Sequence, residues 1–320
     1  MQRFKSQYSV MKPVFSVLLL ALLLVGPVRS LERLNSFTLD PGVGDVVGQL
    51  QQVTVSDQET LIDIGREHMF GYDAVRAANP DIDAWAPEEG AVVTLPAQHV
   101  LPAAPRKGIV INVSEKRLYY YPPPARGQAQ TVEVYAISVG RGDWSTPLEV
   151  TKVTGRVKDP AWYPPASVRA EHAARGDILP AKVPAGPDNP LGQYILQLGI
   201  PSYFIHGTNR ENGIGMQVTH GCIRMYPADI ENLALRVKNN TPVYIVNQRY
   251  KAGWKEGILY LEVHPPLDGS SGAVDQSSRS ITTTLGEAKK EFADAVIDWD
   301  EVWRVQALQE GLPTPVGRTL

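Results

Sequence analysis

One short segment, residues 205–225, carries the side chains best suited to nucleophilic chemistry. It contains Cys222, which is the only cysteine of the 320 residues, and two of the six histidines, His206 and His220. A free thiol has a pKa of about 8.5, so little thiolate exists at neutral pH and a nucleophilic cysteine needs a base beside it. Histidine is the usual base because its own pKa lies near neutrality. The segment therefore indicates a cysteine nucleophile with a histidine base.

Glycines in the same segment favour tight turns around these side chains. Gly221 and Cys222 lie in a predicted turn ahead of a helix, where backbone N–H groups can form an oxyanion hole. His206 lies at the end of a predicted strand, 16 residues before the cysteine. A strand-and-loop return of that length can bring the imidazole and the thiol together.

Three alternatives stay open from the residues alone. His220 is two residues from Cys222 and is a candidate for the base, for a supporting group or for a structural histidine. A lone buried cysteine is often an inert, small apolar residue. A zinc site made by His206, His220 and Cys222 is a third alternative, but their spacing matches no standard ligand pattern and no fourth ligand is evident. The clustering in one glycine-rich segment favours covalent catalysis.

Composition limits the class of protein. The formal net charge is -3 and the pI about 6.1, with 43% hydrophobic and 20% charged residues. This is ordinary globular composition, and it lacks the basic surface expected of a nucleic-acid-binding protein. A single cysteine cannot form an intramolecular disulfide, and in an exported protein it suggests a reactive or intermolecularly paired thiol.

The N-terminus has the three-part layout of a secretory signal peptide. A basic lead precedes an apolar run at residues 14–25, and small residues precede a cleavage site near Ser30. The alternative, an uncleaved membrane anchor, needs roughly 20 apolar residues, and this run is shorter. We therefore predict export, cleavage near Ser30 and no stable membrane span in the mature protein.

The rest of the chain divides by composition into five segments. They are a polar linker (31–50), a small strand–helix–helix–strand unit (51–96), a proline-containing linker (97–106), a β-rich domain (107–247) and a C-terminal extension (248–320). The extension is expected to be flexible over residues 266–283 and helical near 285–309.

Within the β-rich domain, many short strand patterns predict a mostly β fold, a curved sheet or sandwich, with one packed helix that begins at Pro227. Residues 160–190 contain seven prolines in 31 positions, a density that predicts an irregular, partly rigid loop. Long loops in compact domains are often functional lids, and the alternative is simple surface irregularity.

The sequence IHGTN followed by THGCIRM resembles the signature of the L,D-transpeptidase, or YkuD, family over residues 107–247. The resemblance implies that Cys222 is the nucleophile and that His206 is the general base and later the acid. The implied supporting positions are Gly207, whose backbone carbonyl would orient the His206 ring, and His220, Gly221 and Arg224. For Arg224 an ordinary ion pair is the alternative.

Residues 51–96 resemble a LysM module in the pieces VTVSDQETLIDIG, VRAANPDID and EGAVVTLP. That resemblance implies binding to glycans that contain N-acetylglucosamine, such as peptidoglycan. The alternative is a small packing domain without a ligand.

The order of signal, LysM-like unit, catalytic domain and tail resembles a periplasmic subgroup that attaches the Braun lipoprotein to peptidoglycan. The implied reaction transfers the diaminopimelate acyl group of a tetrapeptide stem through Cys222 to an amine, without a metal or organic cofactor. The acceptor is expected to be a lysine of an outer-membrane lipoprotein; a second diaminopimelate, giving a 3-3 cross-link, and water are alternatives. In a different class, the chain would be a non-catalytic peptidoglycan-binding protein.

Overall fold

The computed structural model describes residues 35–39, 44–268 and 279–320, all of which belong to one folded unit. The predicted signal peptide, residues 1–30, and the central part of the predicted flexible segment, residues 269–278, lie outside the described residues. Among the described residues, no helix has both the length and the apolar character that crossing a bilayer requires.

Strands occur where the sequence predicted a linker. In the segment 31–50, β1 (Ser36–Leu39) pairs antiparallel with residues 130–133, and β2 (Val46–Gly48) follows it. Only alternate residues of β1 are partly covered, so the sequence has the mixed polar texture of a linker although the segment forms the edge of a sheet.

Residues 51–96 form the predicted strand–helix–helix–strand order, with β3 (Gln51–Thr54), α1 (Leu61–Glu67), α2 (Tyr72–Ala77) and β4 (Val92–Leu95). Thr60 begins α1 with a capping box, in which its side chain accepts from the Asp63 N–H and the Asp63 carboxylate accepts from the Thr60 N–H. A separate small core holds the unit together: Val55, Leu61, Ile64, Val75, Val93 and Leu95. β5 (Gln98–Val100) follows in the second predicted linker and pairs with β2.

The small unit rests on the β-rich domain through backbone contacts. The N–H of Tyr72 donates to the carbonyl of Ile214 at 3.1 Å, and the Tyr226 hydroxyl donates to the carbonyl of Phe70 at 2.9 Å. At this junction Gly71 and Gly215 lie so close that a Cβ atom built on Gly215 would meet the Gly71 Cα at 2.2 Å. Two glycines are therefore needed for the backbones to approach this closely.

The β-rich domain is a closed sheet. Its strands in chain order are β6 (Gly108–Asn112), β7 (Arg117–Tyr121), β8 (Gln130–Gly140), β9 (Val150–Lys158), β10 (Tyr194–Leu198), β11 (Phe204–His206), β12 (Gln217–Thr219), β13 (Ile223–Met225) and β14 (Pro242–Val246). Neighbouring strands follow the order β8-β13-β11-β10-β9-β14-β6-β7, and β7 pairs again with β8. The mostly β fold is confirmed, and this last pairing joins the sheet edges into an eight-stranded barrel.

The predicted helix is α4 (Pro227–Arg236), with Pro227 in its first turn as the sequence indicated. It buries Ile230, Leu233 and Ala234 against the apolar core of the barrel. Burying side chains of this size contributes about 1.5–3 kcal/mol each, so the apolar face is what holds the helix on the sheet.

The proline-rich loop contains a helix that was not predicted. α3 (Ala166–Ala174) lies between two groups of prolines, at residues 160–165 and 180–190, and the intervening stretch is free of proline. The expectation that residues 160–190 lack regular structure was therefore wrong for this stretch, since proline disrupts a helix only where it occurs inside it. The buried Asn189 side chain donates to the carbonyls of Pro160 at 2.8 Å and Pro184 at 3.0 Å and so closes the base of the loop.

The C-terminal extension is folded over its described residues. It consists of β15 (Tyr250–Lys255), β16 (Ile258–Val263), α5 (Ile281–Lys289), β17 (Val296–Ile297), α6 (Trp299–Leu308) and β18 (Thr314–Arg318), and its sheet has the order β15-β16-β18-β17. The single helix expected near 285–309 is two helices. Ser280 and Asp298 cap their N-termini, and β17 separates them.

A buried ionic cluster joins this extension to the barrel. Arg117 on β7 contacts Glu115 at 3.0 Å and Glu262 on β16 at 2.5 Å, and Lys251 on β15 contacts the same two carboxylates at 2.6 and 3.1 Å. All four side chains are at most 5% exposed. Each charge thus has a partner from the other part of the chain as well as one from its own part, so the cluster ties the extension to the barrel.

Candidate active site

Cys222 lies in the turn that connects β12 to β13. Gly221 precedes it with φ of 102°, and a Cβ atom there would lie 2.8 Å from the Tyr203 ring, so the turn requires glycine. The Thr219 hydroxyl donates to the Cys222 carbonyl at 2.7 Å and fixes the turn. The thiol itself faces the Ser202 carbonyl at 3.6 Å.

The Gly221 amide has a partner inside this turn, since it donates to the Thr219 hydroxyl oxygen at 3.2 Å. The sequence suggested this N–H as an oxyanion donor, and in this state it is engaged within the turn. Gly221 therefore acts on the site through the shape of the turn.

His206 is the last residue of β11, and its ring is fixed by its own neighbour. Its Nδ1 donates to the Gly207 carbonyl at 2.7 Å, because a carbonyl oxygen can only accept. This hydrogen bond selects the tautomer in which Nε2 is left as a proton acceptor. The ring is buried, with 5% of the residue exposed.

Strand pairing brings the predicted site residues to one place. β11 and β13 run parallel, with His206 directly opposite Arg224, and Cys222 lies two residues before Arg224. Directly opposed residues of neighbouring strands share a face, and the turn that contains Cys222 leads directly into β13. Cys222, His206 and Arg224 accordingly line one cavity of about 610 Å³, together with Thr219 and His220.

Burial disfavours the charged forms of both Cys222 and His206. Burial, with a smaller contribution from the Arg224 charge, lowers the pKa of His206 to about 3. Burial also raises the pKa of the Cys222 thiol above its ordinary value, although the Phe204 backbone and Arg224 oppose this. Both shifts favour the neutral thiol and the neutral imidazole over a thiolate–imidazolium pair.

Sequence comparison with known proteins identifies the family of this chain. Residues 106–245 match the YkuD family model, described as the L,D-transpeptidase catalytic domain. The chain is 39% identical to "Probable L,D-transpeptidase YcfS" of Escherichia coli strain K12 over 293 residues, which cover 89% of each chain. It is 42% identical to "Probable L,D-transpeptidase YbiS" of the same strain over 253 residues, covering 76% of this chain and 81% of that one. The chain belongs to the L,D-transpeptidase family.

Among solved structures, the catalytic domain of the E. faecium L,D-transpeptidase is similar to this chain with a TM-score of 0.33 at 19% identity. The match covers 45% of this chain and 99% of that one.

In this L,D-transpeptidase, His220 contacts the proline-rich loop. Its Nε2 lies 2.7 Å from the Glu171 carboxylate on α3 and 3.2 Å from the Arg141 guanidinium, and the edge of its ring meets Trp144 with centroids 5.0 Å apart. Hydrogen bonds from Arg141 and from His220 lower the pKa of Glu171 to about 2, so this carboxylate is ionised. His220 therefore connects the turn that contains Cys222 to the loop.

Sequence reasoning missed Glu171 and Arg141. Glu171 is 49 residues from His220 and lies in a stretch expected to be irregular, and Arg141 is 79 residues away. Neither belongs to a motif, so no local pattern marks them. The proline-rich loop brings Glu171 to the site, and the pairing of β8 with β12 brings Arg141 there.

Aromatic side chains from both sides form the cavity walls. Trp162 and Tyr163 come from the proline-rich loop, while Trp144 and Tyr203 come from the barrel. Apolar walls with a few polar groups are typical of ligand sites, and they keep water away from an acyl intermediate. The loop therefore supplies one wall of the cavity that Cys222 lines.

Proposed function

We propose that this chain is a peptidoglycan L,D-transpeptidase in which Cys222 attacks the diaminopimelate carbonyl of a tetrapeptide stem. The observation that carries the proposal is the shared cavity of Cys222 and His206, with the His206 tautomer fixed by the Gly207 carbonyl. A thiol and an oriented base in one cleft are the components that thioester formation requires.

The first half-reaction follows from the neutral resting pair. As Sγ attacks the carbonyl carbon, the thiol proton moves to Nε2 of His206, and a tetrahedral oxyanion forms. The imidazolium then gives this proton to the departing amine, so that the bond to D-alanine breaks and a thioester remains on Cys222. The Gly207 carbonyl accepts from Nδ1 throughout and stabilises the transient positive charge on the ring.

In the second half-reaction an amine attacks the thioester, loses its proton to His206 and releases the thiol. No step needs a metal or organic cofactor, since thiol and imidazole account for every bond and proton. The proposed acceptor is a lysine of an outer-membrane lipoprotein, and the order of segments along the chain supports it. A second diaminopimelate, which would give a 3-3 cross-link, is the other candidate acceptor.

Residues 51–96 are proposed to be a LysM-like glycan-binding unit that holds the enzyme on its polymeric substrate. Trp85 of this unit is 68% exposed and lies beside the Tyr72 ring, with ring centroids 6.2 Å apart. An exposed tryptophan beside a second aromatic ring offers apolar surface with a polar edge, which suits contact with a sugar ring. Together with the predicted signal peptide, these features support a periplasmic location.

Incubation of the purified protein with a disaccharide tetrapeptide tests the proposal. We expect release of D-alanine and an acyl adduct on Cys222 by mass spectrometry, with neither for Cys222→Ala. Since Cys222 is the only cysteine, an adduct elsewhere or activity of the alanine variant above a few per cent would contradict its role. Lack of turnover together with inertness to a carbapenem would instead indicate a non-catalytic peptidoglycan-binding protein.

The acceptor is tested in cells. Muropeptides and peptidoglycan-bound lipoprotein are compared with and without the gene. Loss of bound lipoprotein supports the lysine acceptor, whereas loss of 3-3 dimers alone would assign the second diaminopimelate.

A further inference from the structure

The catalytic cavity contains one permanent cation that has no counter-ion among the described residues. Arg224 is half-buried in β13 and lines the cavity with Cys222 and His206. Its Nε atom is buried and has no hydrogen-bond partner within the described residues. A largely buried guanidinium charge is normally paired, so an unpaired one in the lining of this cavity points to a ligand that carries the opposite charge.

The ion-pair alternative for this arginine finds no support in the described part of the chain. No aspartate or glutamate is among the described residues that line the cavity, and no ion pair to Arg224 occurs among them. The charged group that acts on it most strongly is another cation, Arg210, which is exposed. The cavity is thus complementary to an anionic ligand.

The strand register places this cation next to the leaving-group side of the reaction. Arg224 is directly opposite His206 in the parallel pair of β11 and β13, and such strands lie about 4.8 Å apart. His206 is the group that returns a proton to the departing amine under the proposed function. In D-alanine, a single carbon separates that nitrogen from the α-carboxylate.

We propose that Arg224 binds the α-carboxylate of the leaving D-alanine, an inference that rests on the proposed function. A planar guanidinium can donate two parallel hydrogen bonds to a carboxylate, which fixes the orientation of the leaving group as well as its position. Stems whose fourth residue carries a free carboxylate would therefore be selected. In a stem extended by one more residue, that carboxyl group is a neutral amide, and the buried guanidinium would remain unpaired.

The test compares two stems that differ only at this carboxyl group: a tetrapeptide that ends in D-alanine and one that ends in D-alanine amide. Release of the terminal residue is followed by mass spectrometry for the wild-type protein, Arg224→Met, Arg224→Lys and Arg210→Met. The measured quantity is the ratio of kcat/KM for the acid to kcat/KM for the amide. Any effect of Arg224 on the reactivity of the thiol cancels in this ratio.

We expect the wild-type ratio to be roughly 10- to 100-fold in favour of the acid, which is the range for hydrogen bonds to charged groups. The ratio should fall to about one in Arg224→Met. It should be intermediate in Arg224→Lys, because lysine keeps the positive charge but cannot donate two parallel hydrogen bonds. In Arg210→Met it should remain near the wild-type value. The comparison of the acid stem with the amide stem uses the wild-type protein alone, so it does not depend on whether any variant folds.

A wild-type ratio near one, or a ratio unchanged in Arg224→Met, would overturn the assignment. No turnover of the acid stem by the wild-type protein would refute the proposed function itself, and this outcome is distinct from both.

Discussion

The Glu171 carboxylate and Nε2 of His220 lie 2.7 Å apart and so connect the loop helix α3 to the turn that contains Cys222. Glu171 belongs to the proline-rich loop, and His220 belongs to the turn between β12 and β13. The same carboxylate also accepts from Arg141 and Arg175, so one side chain collects three donors from three parts of the chain.

We expect Glu171→Gln to loosen the proline-rich loop. The amide cannot accept all three donors with the strength of a carboxylate, so the loop should open more often and KM for the stem should rise severalfold, with a smaller change in kcat. Hydrogen exchange over residues 160–190 should increase. Asp177→Asn is the matched control, because Asp177 pairs with His172 of the same helix but is far more exposed. Equal exchange in the two variants would argue against the Glu171 contact.

His206→Ala should slow acylation by about 10²–10⁴-fold, the usual contribution of a general acid–base group. His220→Ala should cost clearly less, because its Nε2 is engaged with Glu171. Stopped-flow acylation by a carbapenem measures both rates. If His220→Ala is the slower variant, the base has been assigned to the wrong histidine and the turn around Gly221 must be reconsidered.

The pH dependence of thiol alkylation should show that Cys222 is not a preformed thiolate. Burial raises the pKa of this thiol, and alkylation by iodoacetamide requires the thiolate. The rate should therefore keep rising as the pH increases beyond the ordinary thiol pKa of about 8.5. Because the chain has one cysteine, Cys222→Ala gives the background. A rate that is already constant from pH 6 to 8 would contradict the neutral resting pair.

Trp85→Ala should reduce retention of the full-length protein on purified sacculi, since this ring is the most exposed large aromatic side chain of the small unit. Trp303→Ala is a matched control on α6, where the ring is 48% exposed but lies in the C-terminal extension. Co-sedimentation measures the bound fraction. Equal retention of both variants would leave residues 51–96 as a spacer and would not affect the catalytic proposal.

Lys251→Met should strongly destabilise the protein. It leaves the carboxylates of Glu115 and Glu262 buried with fewer partners, and breaking a buried ion pair in this way costs about 3–5 kcal/mol. Lys290→Met removes an exposed pair with Glu287 and should cost less than about 1 kcal/mol. Urea unfolding gives both free energies of unfolding, and similar values would show that the buried cluster contributes little.

The sequence was most informative where local rules are strong. The signature around Cys222, the β-rich texture and the proline at the start of α4 each reflect chemistry or geometry within a few residues. The closure of the barrel through β7 and β8, the helix inside the proline-rich loop and the contact of Glu171 with His220 depend on pairing between distant segments. Alternation and periodicity do not specify such partners, and so these features could be found only in the folded chain.

The backbone contact of Gly71 with Gly215 has a mechanical consequence. Peptidoglycan bears tension, and a protein held on it by residues 51–96 would feel that tension through this junction. No side chain stands between the two glycines, and beside them the Tyr72 N–H donates to the Ile214 carbonyl, so a pull on the small unit would load a backbone hydrogen bond eight residues before Cys222. Tension in the cell wall would then act, through this junction, on the main chain close to the Cys222 thiol.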